Sequence, residues 1–203
     1  MNNVRKYSEY QHMPFIINEL EDIPGGGSLK MADLDKSQGS IAPGFFVGRD
    51  ATTGLLLLCV SAVVVADALA TDKKLKVRKG SQLKAAMVVA GDVTGSKAYG
   101  ISSIDRSHAD YDEVTLPTAL GVALSVNDTI YEVTEVDAEG GQSTIPVIPI
   151  GVAKQEIDLS KSHVDTGVSV RGSYTVATMA FGAPSAYTKH LPLMRFKEPN
   201  AVE

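Results

Sequence analysis

The sequence predicts a mainly β protein: an antiparallel sandwich or barrel of short strands, with an N-terminal arm and one short C-terminal helix. Three observations predict it. Short β-branched runs recur at near-regular spacing, Gly, Asn and Asp stand between them, and helical periodicity is scarce. The 203 residues allow one large domain or a small domain with appendages. The divisions expected are an arm with a glycine hinge over 1–27, a β-rich domain over 28–197 and a tail over 198–203.

The first segment differs from the rest. It has no clear period and ends in Pro24-Gly25-Gly26-Gly27, a linker signal. Met13, Phe15, Ile16, Ile17 and Leu20 make it too apolar for a free tail. Either it packs on its own domain, or it is an arm that docks on a neighbour. A helix within Val4 to Glu21, limited by Pro14, is a further expectation.

From Ser28 onward, turn signals set the strands. Ala42-Pro43-Gly44 precedes Phe45–Val47, and Thr53-Gly54 precedes the apolar run Leu55 to Val65. That run is read as one buried strand or a pair. It is apolar on both faces, so a second sheet or another chain must cover Leu55, Leu57, Val63 and Val65. Further strands are expected at Leu75–Arg78, Met87–Val89, Tyr99–Ile104, Thr129–Val136 and Ile145–Val152, and at 168–171 and 173–176 around Gly172. The helix is expected over 183–190, with Pro184 at its first position and Pro192 soon after its end.

Charge and composition exclude several functions. A net charge of −5 gives no electrostatic pull toward nucleic acid. Lys73, Lys74, Lys76, Arg78 and Lys79 alternate with Leu75 and Val77, which reads as the solvated face of a strand. Leu55 to Ala66 is too short to span a bilayer, and no apolar stretch follows Arg5-Lys6 to make a signal peptide. Cys59 is the single cysteine and reads as a small buried hydrophobe.

The search for chemistry finds no catalytic residues, no metal ligands and no need for a cofactor. His-Glu-x-x-His, Gly-x-Ser-x-Gly and paired cysteines are missing. Gly91 to Lys97 has the outline of a phosphate loop, but its spacing is wrong and it reads as a hairpin loop. Asp105, Asp110 and Asp112 offer carboxylates to a calcium ion. The stretch lacks the mid-loop Gly and terminal Glu of the usual calcium loop, which favours solvated Asx turns. With no Trp and few Tyr expected to be exposed, aromatic platforms for sugars are also scarce.

One ordered set of short motifs carries a family resemblance. It runs Leu75-Lys76-Val77-Arg78-Lys79-Gly80-Ser81, Met87-Val88-Val89, Ala98-Tyr99-Gly100-Ile101-Ser102-Ser103-Ile104-Asp105 and Ala109-Asp110-Tyr111-Asp112. Leu120-Gly121-Val122-Ala123-Leu124, Asn127-Asp128-Thr129, Val168-Ser169-Val170-Arg171-Gly172-Ser173 and Leu191-Pro192-Leu193 complete it. This order resembles the head-fibre and capsid-decoration proteins of tailed phages, especially crAss-like phages of Bacteroidetes hosts. The resemblance spans about residues 40 to 197, and Met1 to Gly27 lies outside it.

The resemblance implies a non-enzymatic virion protein, made in the bacterial cytoplasm and seated on the outer capsid surface. Its implied partners are the major capsid protein or other virion proteins and further copies of itself, a trimer being favoured; nucleic acid and membrane are not among them. Avidity from several linked contacts suits such attachment. The alternative expectation is a receptor- or glycan-binding module with its site on loops Arg106 to Glu113 or Asp137 to Ser143.

Overall fold

The computed structural model describes residues 15–141 and 144–197. Strands dominate it. The first stretch holds β1 (Ile16–Asp22), β2 (Gly27–Ser28), β3 (Ser40–Ile41), β4 (Phe46–Arg49), β5 (Leu56–Leu58) and β6 (Ser61–Val63). The middle holds β7 (Lys74–Arg78), β8 (Val88–Gly91), β9 (Ala98–Gly100), β10 (Ser103–Asp105) and β11 (Tyr111–Thr115). Then come β12 (Thr129–Val133), β13 (Pro149–Ala153), β14 (Ile157–Asp158), β15 (Asp165–Thr166) and β16 (Val168–Thr175). A single turn of helix, α1 (Ser185–Thr188), precedes β17 (Met194–Lys197).

Three open sheets and two two-stranded pairs, β14 with β3 and β15 with β2, organise these strands. The largest has the order β1-β16-β13-β4-β5, with β17 also paired to β16. A second runs β6-β12-β8-β9, and a third β10-β11-β7. Pairing between the named strands is antiparallel except for β16 with β17. The expected fold class is thus observed as packed, short-stranded, mainly antiparallel sheets, none of which closes into a barrel.

Side-chain alternation explains how the large sheet is covered on both faces. Phe45, Val47, Ala153 and Leu58 face the main core, while their neighbours Phe46, Val152 and Cys59 face a second, aromatic core. There Phe46 meets Tyr187 and Phe196 at ring-centre distances of 5.6 and 5.5 Å. Phe15 stacks on Tyr174 at 6.5 Å. The segment around α1 forms the lid over this second core, with Ala186, Tyr187 and Leu191 buried in it.

The apolar run is a pair of strands that passes between sheets. Leu56, Leu58, Val60, Ala62 and Val64 all face the main core. Residues 58–64 are buried without a break, which covers both faces. Of the four positions singled out from sequence, only Val63 is buried; Leu55, Leu57 and Val65 are half-buried. Their even-numbered neighbours Leu56, Leu58, Ala62 and Val64 are the ones that point at the shared core.

Several local expectations are corrected. No helix occupies 16–21; the chain there is β1, paired to β16 nearly the whole length of the protein away. The glycine run is not a loose linker. Gly26 N–H donates to Ile23 O at 2.9 Å, and Gly25 has φ +78° after Pro24. Proline followed by a left-handed glycine is the type II turn signature. Tyr99–Ile104 is two strands in two sheets rather than one. Thr129–Val136 stops at Val133, and Ile145–Val152 begins only at Pro149. The strands expected on either side of Gly172 are one strand of 8 residues. Pro184 is the N-cap of α1, extended at ψ 139°, not its first helical residue.

Candidate functional site

The polar constellation at 105–113 turns out to be structural. Asp112 is buried, with Lys79 Nζ 3.3 Å away and Arg106 Nε 3.6 Å away. Arg106 also pairs with Asp35 at 3.3 Å and donates to Leu83 O at 2.8 Å, tying the loop to two other segments. Asp105 accepts from Ser107 N–H at 2.9 Å, an Asx turn. That contact, first from the backbone and then from the Ser107 hydroxyl, holds the Asp105 carboxyl below its usual range. No group of ligating side chains suited to a metal occurs among the described residues.

His108, His163 and Cys59 have partners or burial of their own. His108 stacks on Tyr111 at 4.4 Å, and His163 lies 3.2 Å from Asp165 at the surface. Cys59 is buried, and desolvation, helped by the charge of Glu132, pushes its thiol far above the usual range. A thiol so shielded is no nucleophile. Lys74 and Lys76 stay exposed while Leu75 and Val77 are buried, so the basic run is the outer face of β7.

The surface does carry an unsatisfied feature at β1. This strand is an edge of the six-stranded sheet and is exposed along nearly all its length. Phe15, just before it, is fully buried, and Ile16 packs against the aromatic core. Ile17 and Leu20 are 53% and 62% exposed, and Leu193 is 61% exposed. Leu20 and Leu193 line a groove of about 310 Å³, whose walls include Asn18, Arg171 and Arg195. Neither arginine has a carboxylate partner among the described residues. Met13 lies outside the described residues.

Two devices protect and hold this edge. The β1–β16 register shifts at three points, and Glu19, Glu21 and Asp22 place acid along it. Irregularity and charge both discourage indiscriminate edge pairing. Lys154 reaches across to Glu19 at 3.0 Å and Asp22 at 2.8 Å. Burial opposes the Lys154 charge, but its contacts with Asp22 and Glu19 outweigh that and raise its pKa.

A second concavity lies elsewhere, between the β8–β9 hairpin, the loop after β12 and α1. This cleft of about 510 Å³ is lined by Asp92, Thr94, Tyr131, Gly140, Gly141 and Lys189, among others. Its hairpin is the Gly91–Lys97 stretch, and the register of β8 with β9 places it as a hairpin loop. Asp92 accepts from the Ser185 backbone N–H at 2.8 Å and from the Ser185 hydroxyl, so it caps α1. Gly140 has φ +77°, and a Cβ there would stand 2.6 Å from Gly95 O. Only glycine lets the two loops meet. Sequence reasoning named the 137–143 loop as a ligand site and set aside Gly91–Lys97, which holds Asp92, as a hairpin loop; it did not join either to Tyr131 or Lys189, which are distant in the chain.

No protein-family model, curated protein or solved structure matches this chain.

Proposed function

We propose that this chain is a non-catalytic virion structural subunit, a head-fibre or decoration protein attached to the outer surface of a phage capsid. The observation that supports the reading best is the pair of exposed apolar residues on β1, Ile17 and Leu20, of which Leu20 shares a groove with exposed Leu193. Scattered apolar residues are normal on a surface. A groove at a sheet edge that joins apolar Leu20 and Leu193 to two arginines without a carboxylate partner among the described residues suits another protein. The order of sequence motifs supplies the virion context. The partners proposed are the major capsid protein or another virion protein, and further copies of this chain in a closed ring, a trimer first.

The segment before Phe15 and the face of β1 act together as the attachment element. Deleting residues 1–27 is a poor test, because it removes Phe15 and β1 from the fold. The informative variants remove residues 1–14 alone, or carry Ile17→Ser with Leu20→Ser. Sedimentation and binding to capsids lacking this protein are the readouts. Loss of capsid binding by folded variants is expected. A monomer that binds capsids equally well in all these forms would sink the reading.

A further inference from the structure

We infer that the cleft between the β8–β9 hairpin, the loop after β12 and α1 binds a short, uncharged saccharide. Its size falls in the range of about 300–1,000 Å³ that ligand sites occupy. Its chemistry is mixed and balanced. Asp92 brings one negative charge and Lys189 one positive charge, and Lys189 has no ion-pair partner among the described residues. A phosphate would be repelled by Asp92, and a metal ion would find a single carboxylate. Vicinal hydroxyls, which donate and accept at once, match such a pair.

The remaining groups fit the same class. Tyr131 is half-buried, and its ring is fixed edge-on against Tyr187 at 5.8 Å and 68°. It supplies a rigid aromatic wall, while its hydroxyl has no partner among the described residues. Burial, and then the charge of Asp92, raise its pKa, so it remains a donor at neutral pH. The Thr94 hydroxyl at the hairpin tip is likewise unengaged. Each Asp92 oxygen receives one bond from Ser185 and keeps acceptor capacity for a second. Glycines at 91, 95, 140 and 141 keep the cleft lined by backbone, leaving room for a ring to approach. The aromatic wall that composition made scarce is here supplied by one well-placed tyrosine.

The site is separate from β1, so capsid attachment and sugar binding fail independently. The test is an array of neutral and charged glycans probed with the labelled full-length protein, followed by amide NMR titration with the strongest neutral hit. Saturable binding is expected, with shifts confined to residues near 91–97, 131, 140–141 and 185–189. Thr94→Val, Tyr131→Phe and Lys189→Ala should each weaken it about fivefold, the factor for one lost hydrogen bond, with unchanged melting. No neutral glycan bound above background would overturn the inference. So would undiminished binding by the three variants, or stronger competition by inorganic phosphate than by the neutral sugar.

Discussion

The run Leu55 to Val65 and the segment Phe15 to Ile23 are both rich in apolar residues, yet they end in opposite environments. The first carries two strands, one in each of two sheets, so its neighbours in sequence are claimed by different layers of the core. Leu56, Ala62 and Val64 are almost wholly sealed. The second has a single fully buried residue, Phe15, followed by an edge strand whose Ile17 and Leu20 face outward. Apolar content states how much surface must be covered. Topology decides whether the protein covers it alone. A strand between sheets is finished by folding, whereas an edge strand leaves an apolar remainder exposed.

This contrast can be broken at graded cost. Phe15→Ala is expected to destabilise by about 3–5 kcal/mol in urea titration, because it empties a site under Tyr174. A near-neutral result would mean that β1 is not integral to the fold. Leu56→Ala should cost about 2–5 kcal/mol by the same measurement, as for any sealed leucine. Lys154→Ala should change global stability little but speed amide exchange in β1 by hydrogen-exchange mass spectrometry. Uniform exchange across the sheet in that variant would show that the lysine does not hold the strand. Ile17→Ser with Leu20→Ser should stay within about 0.5 kcal/mol per site while abolishing association, which separates surface from core.

Acid provides a reversible version of the lysine variant. The hydrogen bond and then the charge of Lys154 hold the Asp22 carboxyl below its usual range. A depressed folded pKa means that the contribution is complete above the ordinary carboxylate value and is lost as pH falls through the lowered one. Lys154 behaves oppositely: its raised pKa makes the contribution complete below the ordinary lysine value and lost as pH climbs past the raised one. The clamp on β1 is therefore whole between about pH 4 and 10. Faster β1 exchange, relative to the intrinsic amide rate at each pH, is expected below that window as pH falls through the lowered Asp22 value, with little change in β13.

Much of the strand pattern was legible because turns announce themselves locally. Gly91 to Lys97 and the alternating Lys74–Arg78 needed no distant information. Tyr99–Ile104 looked continuous because the chain stays extended while it changes sheets. Ile101 N–H bonds to Met87 O, whereas Ser102 N–H bonds to Thr115 O. No local period encodes that exchange of partners. β1 was ambiguous for a related reason: its bulges erase the two-residue alternation, and its partner β16 lies far along the chain. The cleft was half-legible. The glycines of its loops stand out, but the union of Asp92 with Ser185 bridges 93 positions.

The pairing of β16 with β1 on one side and β17 on the other has a mechanical consequence. Tyr174 is opposite Ile16 in one ladder and Phe196 in the other. The first and last described strands thus reach the same end of β16, about two strand spacings apart, or roughly 10 Å. Tension applied between the segments that precede Phe15 and follow Lys197 would open these ladders one bond at a time from that end. A pull between an anchored N-terminal segment and the far rim of the domain would instead load the β1–β16 ladder along its length, where its bonds resist together.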